Sequence, residues 1–152
     1  MSTFIATPAT QADITVGNLA FYPDISLNTL RNSVRIDQVI ENSQLQHIVE
    51  QALIIINDKL AGWQQQQQQQ GYATIDAIAT GYSSTRLIRL YFQAVYEQCK
   101  YDLLQQYRDY DSSHQGHDNA DHMNGRLDYC LLQMDAAVTA IIGDKPTRVT
   151  LI

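Results

Sequence analysis

Along most of this chain hydrophobic residues recur at spacings of three and four, the period that puts one apolar stripe on one side of an α-helix. Residues 1–20 are the exception: rich in Thr, Ala and Ser, with no sustained period, they predict an extended or mobile arm. In Tyr22-Pro23-Asp24-Ile25, Pro23 favours an extended Tyr22, and Asp24 or Ser26 can cap a first helix. Leu27, Leu30, Val34 and Ile36 predict that helix as short and amphipathic, ending before Asn42. From Asn42-Ser43, the stripe Leu45, Ile48, Val49, Ala52, Leu53, Ile56, Leu60 and Trp63 predicts a long second helix. Glutamine is a good helix former, so the run Gln64–Gln70 extends this helix to a left-handed cap at Gly71.

A connection over 71–84, with room for one helical turn, leads to a third helix from Ser84 to Tyr110. Its main stripe is Ile88, Phe92, Val95, Cys99, Leu103 and Tyr107, and Leu87, Tyr91, Ala94, Tyr101 and Leu104 widen it, which predicts burial on more than one side. Asp111 to Asp118 is a loop by composition. Asp118 or Asn119 caps a last helix carrying Met123, Leu127, Cys130, Leu131, Met134, Val138 and Ile141, which stops at Gly143 before Pro146. Thr147, Arg148, Val149, Thr150, Leu151 and Ile152 alternate like a strand, and a strand without a mate in its own chain must pair elsewhere or stay loose. The expected fold is all-α: an antiparallel bundle of three to four helices over 21–146, an extended N-terminal arm over 1–20 and a β-strand-like C-terminal tail over 147–152.

Charge and composition narrow the classes. The 152 residues suit one domain, and 10 Lys and Arg against 16 Asp and Glu give a net charge of −6. That balance argues against a free-standing nucleic-acid-binding module, which carries a basic stripe. The longest apolar run, Ala52–Ile56, is far short of the ~20 residues of a membrane helix. No basic residue precedes Arg31, so no secretory signal peptide is expected, and two cysteines fit a reduced compartment rather than a disulfide framework. The acids are 13 Asp and only 3 Glu, which places negative charge at helix ends and turns.

Candidate chemistry is sparse. His114, His117 and His122 lie close to Asp111, Asp118 and Asp121, a donor set that could ligate zinc or another divalent metal, but the spacing matches no finger or His-Glu-x-x-His pattern, so a solvated loop is expected instead. An EF-hand beginning at Asp109 would need Gly and Glu where His114 and Ala120 stand. Cys99 and Cys130 sit on apolar stripes with no helix N-terminus or cation expected nearby, as inert core thiols do. With no phosphate loop, nucleophile elbow or paired glutamates, the expectation is a non-enzyme without cofactor or metal. Tyrosine is abundant, and five of nine lie between Tyr91 and Tyr110, as suits an interface.

An ordered set of segments carries a family resemblance: Tyr22-Pro23-Asp24-Ile25, RNSVRID at 31–37, IIINDKLAGW at 54–63, YFQAVY at 91–96, YRDYD at 107–111, Asn119-Ala120-Asp121 and Thr150-Leu151-Ile152. Over about residues 20–152 the chain resembles the head-completion proteins, L protein type, of peduovirus-like contractile-tailed phages. It departs from them in the glutamine run and in the histidines of 114–122. The resemblance implies a structural virion protein of the neck, made in the host cytoplasm. It implies an adaptor that forms a ring of twelve copies under the portal protein, extends the DNA channel, retains packaged DNA and carries the neck or tail-completion protein. On this view Thr147–Ile152 dock on the portal or a neighbouring copy, while Tyr22, Pro23, Asp24, Tyr107, Arg108, Asp109, Tyr110 and Asp111 form an interface or structural motif. The lumen would be acidic or neutral, since residues 102–121 hold five aspartates and one arginine. Competing readings are a small helical regulatory protein acting as a dimer, and a metal-dependent enzyme using the His/Asp loop.

Overall fold

Four α-helices make up most of the described residues in the computed structural model, which covers 12–36, 40–78, 80–111 and 116–143, with backbone alone for 109–111 and 116–121. In chain order these are strand β1 (Thr15–Val16), strand β2 (Ile25–Ser26), α1 (Leu27–Val34), α2 (Asn42–Gln69), a 3-10 turn at Ile75–Ala77, α3 (Tyr82–Asp111) and α4 (Gly116–Ile142). The chain is therefore mainly α. The expected tail at 147–152, the Pro146 stop and residues 1–11 of the expected arm lie outside the described residues.

The small sheet is an addition to the all-α expectation. β1 and β2 pair antiparallel, Thr15 with Ser26 and Val16 with Ile25. Two residues per strand are too few to leave an alternating pattern in the sequence. The described part of the arm is extended, yet it does not project: Val16 is buried, and the Leu27 N–H donates to the Ile14 carbonyl at 2.9 Å. α1 starts where two side chains meet its free N–H groups. Ser26 accepts from Thr29 N–H at 3.1 Å, and Asp13, reaching across from the arm, accepts from Asn28 N–H at 3.1 Å. The Ser26 hydroxyl, which donates to Asp13 Oδ2, and then the Asn28 N–H hold the Asp13 carboxyl below its usual value. α1 ends at Arg35, whose φ of 54° is left-handed, a conformation that L side chains rarely adopt.

α2 buries all eight predicted stripe residues and continues through the glutamines as expected. It stops because Gly71, at φ 99°, turns the backbone so that Gly71 and Tyr72 N–H reach the Gln68 and Gln67 carbonyls at 3.0 and 3.1 Å. α3 begins two residues before its predicted start and is central, touching α1, α2, α4 and the 3-10 turn. Its buried line runs through Tyr91, Ala94, Val95, Gln98, Cys99 and Leu103, while Ile88 and Phe92 are half-buried and Tyr107 is exposed. The true core line thus lies to one side of the predicted main stripe, because a helix packed on several neighbours is not oriented by its own pattern alone. α4 begins at Gly116, inside the stretch expected to be loop, and buries Leu127, Cys130, Met134, Val138 and Ile141 as its stripe predicts. No helix among the described residues is long and apolar enough to cross a membrane.

Aromatic rings join the arm to the helices. Phe21 meets Tyr22 and Trp63 edge-on at 4.9 and 5.9 Å between centroids, and Tyr22 stacks on Tyr91 at 4.5 Å with the planes 3° apart. Ile75 of the 3-10 turn is buried and donates its N–H to the Phe21 carbonyl at 2.9 Å.

Candidate interaction surface

The Tyr22-Pro23-Asp24 motif surrounds Asn18, a residue that carries no sequence signal of its own. Asn18 Nδ2 donates to the Pro23 carbonyl at 2.8 Å and to Tyr91 Oη at 2.8 Å, and its backbone N–H donates to Asp24 Oδ1 at 2.9 Å. Tyr91 Oη donates in turn to Asn57 Oδ1 at 2.7 Å, and Asn57 Nδ2 donates to Asn18 Oδ1 at 2.9 Å. The three side chains close a ring in which each donates to the next, tying the arm, α2 and α3 together. Polar groups removed from water are tolerated when they are satisfied in this way. Burial pushes the Tyr91 and Tyr22 phenols well above the usual tyrosine value. The Tyr22 hydroxyl is buried without a hydrogen-bond partner among the described residues, so Tyr22 acts through its ring.

In front of this joint, two cavities sharing Val34, Arg35 and Lys100 form one groove between α1 and α3 that reaches α4. The larger, about 770 Å³, has the charged residues Asp24, Arg89 and Glu97 among its walls. The smaller, about 480 Å³, has an apolar floor that includes Ile36, Leu103, Leu104 and Met123, and Arg35, Lys100 and Arg126 are the charged residues on its walls. Four of the chain's ten Lys and Arg residues thus line one groove of a chain carrying −6. No periodicity marks those four, because they converge from α3, α4 and the cap after α1.

The other predicted site residues are dispersed. Tyr107 is exposed at the apolar end of the groove, and Arg108 Nη1 donates to Asn124 Oδ1 of α4 at 3.3 Å. The backbone of Asp109, Tyr110 and Asp111 ends α3, and their side chains lie outside the described residues, as do Thr147–Ile152. His122 is exposed; His114 and the side chains of His117, Asp111, Asp118 and Asp121 are outside the described residues, among which no three His, Cys, Asp or Glu side chains converge.

Both cysteines are buried. Burial, with Asp102 nearby, pushes the Cys99 thiol far up. The expectation that no cation stands near either thiol needs correcting at Cys130, where Lys100 and Arg126 are close enough to favour the thiolate. Burial and the Glu97 carboxylate outweigh them, and the thiol is raised.

Comparison with known proteins places the chain. The family described as "Phage head completion protein (GPL)" matches it over residues 16–152. The "Head completion/stabilization protein" of Escherichia phage P2 is 24% identical over 133 residues, covering 86% of this chain and 78% of that protein. No solved structure matches.

Proposed function

The chain belongs to the phage head completion protein (GPL) family, and from that premise we propose that it is the adaptor subunit joining a phage head to its neck. The observation that carries this reading is the extent of the match, which runs from Val16 through β2, all four helices and the residues beyond them. The role is structural: the protein is a virion component that completes or stabilises the filled head. In finer detail, copies assemble in a ring beneath the portal protein, lengthen the DNA channel, help retain the genome and present a platform to the neck or tail-completion protein. The helices form an antiparallel bundle, a view supported by Arg108 bonding to Asn124 while Glu97 acts on Cys130, so that the contacts descend α3 as they climb α4. Residues 147–152 act as the docking tail, with Val149 and Leu151 filling pockets on the portal and the backbone adding to a sheet edge.

The test is complementation of a phage lacking this gene. Full-length protein should restore infectious particles, and a chain without Thr147–Ile152 should keep its helix content and melting temperature yet fail to join DNA-filled heads. Normal incorporation of the truncated chain would remove the tail from the docking role. Failure of the full-length chain to enter particles would overturn the adaptor reading itself.

A further inference from the structure

The groove between α1 and α3 is matched by a second surface on the same molecule. At 100° per residue, Gly125, Tyr129, Leu132 and Ala136 of α4 fall within about 60° of one another, on the side away from the buried Leu127, Met134 and Val138. All four are exposed, with Tyr129 at 56% and Leu132 at 64%. α4 therefore carries two apolar faces, one spent on its own core and one open. Among the described side chains the open face carries no charge, and exposed Asp128 and Asp135 flank it on one side. Asp135 also meets Lys59 of α2 at 3.7 Å, and both side chains remain largely solvated.

We propose that the Tyr129–Leu132 face of one copy seats in the groove of a second copy, an inference that rests on the proposed assembly and supplies its contact surfaces. The occupant is chosen by complementarity. The groove offers an apolar floor with cations at its walls; the α4 face offers apolar side chains spaced for a groove, with carboxylates beside them. Tyr129 and Leu132 cover the floor around Leu103 and Leu104, and Asp128 comes against Lys100 and Arg35. Opposite charges facing across an interface set its register and speed encounter. Arg35 adds a further sign. Its left-handed backbone carries a strain that a glycine would avoid, yet the residue there is a cation at the junction of both cavities. Because the two surfaces differ, each bound copy leaves one of each free, the arrangement from which rings close.

The experiment replaces Tyr129 with the photo-crosslinker benzoylphenylalanine in an equimolar mixture of ¹⁵N-labelled and unlabelled full-length protein at high concentration. Crosslinks joining labelled to unlabelled copies are expected, landing on residues 34–36 or 100–107, and added salt should reduce their yield. Arg35→Gly relieves the backbone strain, so the variant should melt no lower than wild type while its crosslink yield falls roughly tenfold. Crosslinks confined to single copies, landing on other segments, absent altogether or undiminished by Arg35→Gly would each overturn the contact. Particle assembly by the same variants is scored separately: infectious particles without these crosslinks would leave the head-completion role standing and remove only this interface.

Discussion

Asn18, Asn57 and Tyr91 show how a few polar side chains can hold an otherwise apolar interior together. Removing the Tyr91 hydroxyl leaves Asn57 Oδ1 without its donor and Asn18 Nδ2 without one of its acceptors. Tyr91→Phe should therefore lower stability by about 1–3 kcal/mol, measured by urea denaturation, even though the ring and its stack on Tyr22 remain. The same residues set an alkaline limit. Burial raises the phenols of Tyr22 and Tyr91 in the fold, whereas in the unfolded chain they titrate near about 10. Below that value both states hold the protons and the contribution is fully present. As pH rises past it the unfolded chain releases protons that the fold retains, and stability is lost. The urea midpoint should fall between pH 8 and pH 10.5, by less in Tyr91→Phe, and equal midpoints at the two pH values would contradict the burial of these hydroxyls.

The helices depend on their ends as much as on their stripes. Gly71 stands at φ 99° with open space where a Cβ would be, so Gly71→Ala changes backbone strain and nothing else. It should cost roughly 1–2 kcal/mol, seen as a lower melting temperature with little loss of helical circular dichroism. At the start of α1, Ser26→Ala removes the acceptor for Thr29 N–H and the hydroxyl that holds Asp13. A loss of about 1 kcal/mol is expected for the cap. Asp13→Asn, which keeps an acceptor oxygen, should cost less than Ser26→Ala, and the reverse order would place the weight of the cap on the arm.

Across the whole molecule, the arm, α2 and α3 share one core, with Trp63 at the far end of α2 touching Phe21. Trp63 fluorescence and helical circular dichroism should consequently report coincident, single transitions in urea. An earlier change in fluorescence would mean that the contact of Phe21 with α2 opens on its own. The net charge of −6 is unevenly distributed, with four cations gathered in one groove and an uncharged apolar strip on α4 beyond it. Unlike surfaces of this kind are what a subunit needs to add to another copy of itself.

How much of this was legible in the amino-acid order depends on the range of the forces involved. The four helices, the stripes of α2 and α4 and the Gly71 stop are local matters of period and backbone freedom, and neighbouring residues suffice to determine them. The ordered segments from Tyr22 to Ile152 likewise carried the family, which depends on residue identity rather than on geometry. The β1–β2 ladder, the docking of residues 12–20 and the sideways shift of the buried line on α3 were not legible, because each is decided by which neighbour a segment packs on. The Asn18 ring joins residues up to 73 positions apart, and the groove gathers Arg35 from the cap of α1, Arg89 and Lys100 from α3, and Arg126 from α4. Hydrogen bonds and charge pairs act over a few ångströms of space, whatever the distance along the chain, so only the tertiary structure could bring these residues together.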